Sequence, residues 1–180
     1  MKLTWQQLTG LIGSLIFLSL LQSAFISSLS YPVNQFNLIL ASLIFIVFFF
    51  DFRLALLASL VAGFFLGALS FNFFGLQLIA FFLAVCLAKW VLTNWLTNRS
   101  IYSLLALGLM MTLFYGLFTN FVLYLSVVSL PKLFLGQASF WAALAYQGLA
   151  NSLFLLLTFQ LMIIISRRFN PFFLDKSLIN

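Results

Sequence analysis

Proton transfer and nucleophilic attack need titratable side chains, and this chain of 180 residues has few: no histidine, one cysteine (Cys86) and two carboxylates, Asp51 and Asp175. A serine or cysteine nucleophile needs a base beside it. The one base within an apolar segment is Lys89, and no small-residue active-site motif surrounds it. There is no glycine-rich phosphate loop, and so sparse a set of acids and imidazoles removes most metal chemistry as well. Asn98-Arg99-Ser100 matches an N-glycosylation acceptor by chance, in a short loop expected on the cytoplasmic side. Cys86 has no partner for an intramolecular disulfide and reads as a small buried apolar side chain. The expectation is a protein that is not an enzyme and needs no cofactor or metal.

Amides and hydroxyls remain: Gln22, Asn37, Asn72, Gln77, Asn120, Gln147, Asn151, Thr158 and Gln160. Gln147 and Asn151 lie one helical turn apart and share a face. Hydrogen bonds between membrane helices, about 0.6 kcal/mol each, account for such residues; an outward-facing pocket for a neutral ligand is the alternative. An ionisable group near the bilayer midplane marks a functional site by default, and none is expected there. Lys89 falls about one turn from the inner end of its span, where it snorkels to the headgroups or pairs with Asp51. A proton-coupled carrier and a cation channel with an acidic ring are both disfavoured.

The elements that carry these residues follow from hydropathy. The chain is 65% hydrophobic and 6% charged, with mean hydropathy +1.23, against about a quarter charged in a soluble domain. A spanning helix needs about 20 apolar residues. One all-α membrane domain over residues 1–180 is expected, with six spans near 8–26, 33–50, 54–70, 75–92, 101–128 and 142–165. The first resembles a signal peptide but exceeds the usual h-region of about 7–15 residues, so it is read as uncleaved. The charge-free run Leu54–Ala88 would be about 52 Å long as one helix. It is therefore divided by a turn at Phe71-Asn72-Phe73-Phe74-Gly75. The fifth run, Ile101–Leu130, would reach about 45 Å and should kink or project from the bilayer.

Charge supports the parity of six. Lys2, Arg53, Lys89, Arg99, Arg167, Arg168 and Lys176 fall on one side, and only Lys132 on the other. The positive-inside rule then places both termini in the cytoplasm. Trp5, Trp90, Trp95 and Tyr102 belong to the inner interface, and Tyr31, Tyr124 and Trp141 to the outer one. The spread of basic residues serves orientation and contact with anionic lipid, and is not a nucleic-acid patch.

Small residues let membrane helices approach closely. Ala55, Ser59, Gly63 and Gly67 recur every fourth residue in the third span, and Gly108, Thr112, Gly116 and Asn120 do so in the fifth. These two stripes are candidates for packing inside the bundle or for docking a partner's transmembrane helix.

Several short motifs resemble the rod-shape-determining protein MreD family. They are Leu20-Leu21-Gln22-Ser23, the span opening Asn37-Leu38-Ile39-Leu40, the stretch Val61 to Ser70 with Gly63 and Gly67, and Gly75-Leu76-Gln77. The resemblance covers roughly residues 8 to 130. Phe36 stands where the family usually has proline, and Gly67 where it often has aspartate. The resemblance implies a non-enzymatic scaffold of the bacterial cell-elongation machinery in the cytoplasmic membrane. It would pack with the bitopic protein MreC, linking MreB filaments to the peptidoglycan-synthesising RodA and its class B penicillin-binding partner. The alternative is the substrate-binding S component of an energy-coupling-factor vitamin transporter, similar in length, span count and compact bundle. It would hold a vitamin through residues such as Asn72, Gln77, Asn120 or Gln147, and offer Gly10, Gly13 and Ser14 to a coupling protein. A small intramembrane enzyme is the third and weakest reading.

Overall fold

Apolar side chains that cannot be satisfied by water fold here into helices that satisfy their own backbone. The computed structural model describes residues 5–69, 75–96, 98, 100–126 and 138–168, with side chains omitted at 5–8, 126 and 165–168. Six α-helices follow in order: α1 Trp5–Leu20, α2 Leu38–Phe49, α3 Phe52–Leu69, α4 Leu76–Asn94, α5 Ile101–Ser126 and α6 Ala138–Arg168. A π-helical turn Leu21–Phe25 and a 3-10 turn Ile26–Ser28 prolong α1, and a second 3-10 turn, Val33–Gln35, precedes α2. The expected turn residues 71–74 with Asn72 lie outside the described residues, as do Lys2, Arg99, Lys132, Asp175 and Lys176.

Among the described residues, five segments are long and apolar enough to cross a membrane: Thr9–Ser28, Phe52–Leu69, Leu76–Asn94, Ile101–Leu125 and Ala138–Ile164. The chain is thus a multi-pass helical membrane protein. The expected second span, 33–50, is not among these five. Its helix is only 12 residues, about 18 Å against roughly 30 Å of hydrocarbon. Pro32 and the turn behind it hold Val33–Gln35 out of the helix, which starts only after Asn37. The fifth run forms one continuous helix of 26 residues. The longest helix is α6, with 31 residues, about 46 Å, extending past both ends of the expected 142–165.

Helix α2 is apolar all round, and a helix of that kind belongs in the interior. Leu38, Ile39, Leu40, Ala41, Leu43, Ile44, Val47 and Phe48 are all buried, with α1, α3, α4, α5 and α6 packed against it. Where it meets α4 and α5, between Leu43, Val47, Ala84, Ala88 and Met111, there is no room for a water molecule. Helices α2 and α6 run in the same direction. Tyr31 meets Tyr146, Phe36 meets Phe154 and Phe49 meets Phe159, with ring centroids 5.4, 5.6 and 5.9 Å apart. Helix α4 opens at Gly75, whose φ of +96° is left-handed backbone that only glycine adopts without strain. The three charged side chains among the described residues, Asp51, Arg53 and Lys89, lie at one end of the bundle.

Candidate functional site

A helix that starts inside a low-dielectric bundle exposes amide N–H groups that neither water nor lipid can satisfy. At the start of α2 the chain supplies side chains instead. Asn37 caps the helix, its Oδ1 accepting from the Leu40 amide at 3.0 Å. The Leu38 amide donates to Gln22 Oε1 at 2.8 Å, and Gln22 Nε2 donates to the Phe36 carbonyl at 2.9 Å. The Asn37 amide donates to Asn151 Oδ1 at 3.2 Å, and Asn151 Nδ2 donates to Thr112 Oγ1 at 3.0 Å. Thr112 Oγ1 in turn donates to the Gly108 carbonyl at 2.8 Å. Every amide or hydroxyl in this chain of contacts has its partner within the protein.

The π-helical turn aims Gln22 at this site. Its wider ring lets the Ile26 amide reach both the Gln22 and Leu21 carbonyls, and Ser27 Oγ adds a bond to the Gln22 carbonyl at 2.9 Å. π-bulges commonly redirect a side chain in this way at functional positions. A second contact closes the cluster from α4, where the Tyr115 hydroxyl donates to Gln77 Oε1 at 2.6 Å. Tyr115 also stacks on Phe81, with centroids 5.2 Å apart and planes at 12°. The Asn37 side chain lies within hydrogen-bonding reach of the same hydroxyl.

Two independent helix lengths give the depth of the cluster. From the end of α2 at Phe49, Asn37 is twelve residues away, about 18 Å. Along α5, Thr112 is eleven residues from Ile101, about 17 Å. Both figures set the cluster well away from the end of the bundle that carries Arg53. Its members are neutral amides and hydroxyls with no base, acid or metal-ligating set. What such an arrangement can do is fix the start of α2 and tie α1, α2, α4, α5 and α6 together. Gln22, Asn37, Gln77 and Asn151 were legible as polar residues within apolar runs. Thr112 was legible only as part of a small-residue stripe, and Tyr115 was missed, although a tyrosine in the middle of a span, far from either aromatic belt, requires a hydroxyl partner. Gln147 and Asn151 separate: Asn151 is fully buried, and Gln147 only partly.

The two small-residue stripes are filled by the chain's own helices. Ala55 and Ser59 are fully buried, and Gly63 lies against the first turn of α4. A Cβ on Gly63 would stand 2.6 Å from Leu78 Cα and 3.2 Å from the Gln77 carbonyl oxygen. Gly67, one turn on, faces the Gly75 amide nitrogen at 3.8 Å. In α5, a Cβ on Gly108 would meet Leu155 at 2.6 Å and one on Gly116 would overlap Leu144, both leucines of α6. Thr112 between them bonds Asn151, while Asn120 is partly buried and bonds only the Gly116 carbonyl of its own helix at 2.8 Å. A foreign helix reaches Gly63 only by displacing α4. Among the described residues, the open small-residue face is on α1, where Gly10, Gly13 and Ser14 are exposed and no atom of any described residue lies within 4 Å of a Cβ at either glycine.

Comparison with protein-family models, with curated proteins and with solved structures gave no match.

Proposed function

We propose that this protein is a non-enzymatic scaffold of the bacterial cell-elongation machinery, a member of the MreD family that packs with the transmembrane helix of an MreC-like bitopic protein. One observation carries the reading. The four motifs that resemble the family, separated in sequence, converge on one interior framework. Gln22 of the first binds the backbone that opens the second at Leu38. Gly63 of the third packs on Gln77 and Leu78, beside the fourth. Residues that jointly set helix packing, with no reactive group among them, suit a part whose work is to hold other proteins in place. In this reading α2 and the segment before it make a sixth crossing. The end bearing Arg53 and Lys89 faces the cytoplasm with both termini, and MreB, RodA and the class B penicillin-binding protein are reached through the complex.

The face on which a partner helix has closest access is Gly10–Gly13 of α1, because the Gly63 and Gly116 faces are occupied. The test is co-expression with a tagged MreC-like protein and recovery of the pair in detergent. Wild type should co-elute, and Gly10→Ile with Gly13→Ile should abolish recovery without lowering the melting temperature. Failure of the wild-type protein to co-elute defeats the scaffold reading, and full recovery of the double variant defeats docking on α1. That same open face also fits an S component, which docks its coupling protein by small residues. A vitamin that raises the melting temperature would decide for the transporter.

A further inference from the structure

The antiparallel register fixed where Gly63 meets Leu78 and Gly67 meets Gly75, followed ten residues towards the charged end, sets Arg53 of α3 level with Ala88 and Lys89 of α4. Helical spacing puts Arg53, Leu57, Leu60 and Phe64 on one stripe of α3, and all four are exposed. The matching stripe of α4 carries Phe82, Cys86 and Lys89. The buried residues of both helices, among them Ala55, Ser59, Ala84 and Ala88, lie on the opposite side. Two antiparallel helices thus share an outward apolar groove with a cationic pair at one mouth. Beside it Trp90 and Trp95 meet with ring centroids 5.5 Å apart and planes tilted at 57°, 53% and 64% exposed, where indole rings sit at headgroup level.

We infer that this groove is a binding site for one anionic phospholipid, with the phosphate held between Arg53 and Lys89 and the acyl chains laid along the α3–α4 groove. Charge complementarity selects the occupant. The basic pair requires an anion and the apolar stripes below it require a hydrocarbon tail. A zwitterionic lipid offers the tail without the net charge. A headgroup with net negative charge on a two-chain lipid, such as phosphatidylglycerol, supplies both. Lys89, partly buried five residues before the end of α4, reaches the headgroup with its butyl stem along the groove.

The test reconstitutes the full chain, with Trp5→Phe and Trp141→Phe so that Trp90 and Trp95 alone report, into vesicles of brominated phosphatidylglycerol, brominated phosphatidylcholine or mixtures. Bromine quenches indole on contact, and the mixtures give a relative binding constant. Each basic side chain near an anionic surface is worth about five-fold in affinity. The glycerol lipid should therefore be preferred by at least about five-fold. Arg53→Gln with Lys89→Gln should bring the preference close to unity, and Arg53→Lys with Lys89→Arg should retain it. Equal quenching by the two lipids in the unsubstituted site overturns the inference before any charge is changed. So does a preference that survives the double glutamine variant, or equal quenching because a partner helix covers the groove.

Discussion

Gly63→Ala adds a single methyl where, among the described glycines, another helix's backbone comes closest. The new Cβ would stand 2.6 Å from Leu78 Cα, 3.1 Å from Leu78 N and 3.2 Å from the Gln77 carbonyl oxygen. Carbon atoms pack at about 3.5 Å or more, so α4 must retreat by about 0.9 Å. All three neighbours are backbone, and no rotamer change relieves them. Retreat also draws Gln77 away from the Tyr115 hydroxyl, a 2.6 Å bond. Overpacking of this kind costs about 1–3 kcal/mol, and weakening a hydrogen bond costs up to about 1 kcal/mol more. Alanine in place of glycine returns about 1 kcal/mol of helix propensity. The net expectation is a loss centred on about 1.5 kcal/mol and reaching about 3 kcal/mol. Gly67→Ala, whose nearest neighbours are at 3.8 and 4.0 Å, meets only ordinary contacts and should gain up to about 1 kcal/mol. Reversible unfolding in mixed micelles, titrated with dodecyl sulfate and followed by circular dichroism, measures both. A Gly63→Ala variant at or above wild-type stability would refute the reasoning, and so would equal shifts at the two glycines.

Asn151→Leu leaves the buried Asn37 amide without its acceptor and should cost about 1–3 kcal/mol in the same titration. Asn120→Leu, which loses only a bond within its own helix, should stay within about 0.5 kcal/mol. Gln22→Leu orphans the Leu38 amide and the Phe36 carbonyl together; faster hydrogen exchange at Leu38, with α4 amides unchanged, is the expected signature. Gly75→Ala meets no steric neighbour but must hold φ at +96°, so its cost of about 1–2 kcal/mol should appear as backbone strain alone, and Gly75→Asn should recover part of it. With no histidine in the chain, the unfolding midpoint should be flat between about pH 6 and 8; a sloping midpoint would reveal a titrating group that this structure does not use.

Hydropathy made five of the helices legible within a few residues at most of their ends, because a helix in lipid must be a continuous apolar run. It failed at α2 for a physical reason. Val33 and Phe36 are as apolar as the helix that follows, and hydropathy does not register that they belong to turns. The better signal was local: Pro32, then Asn37 placed as a cap before Leu38. The small-residue stripes were visible by spacing, but spacing alone does not tell a face filled by the chain's own helix from one left for a partner. That distinction needed Leu78 opposite Gly63 and empty space opposite Gly10. The polar cluster was legible as a set of residues and invisible as a site. Gln22, Asn37 and Asn151 meet only because α2 is short and runs beside α6.

Depletion of this protein in the organism that encodes it, with the length-to-width ratio of the cells followed by microscopy, tests the scaffold proposal most directly. Rods that widen and round up within a few generations, and recover when the wild-type chain is restored, are the expected result. Rods that keep their shape through depletion would contradict it, the more so if added vitamin were what restored growth.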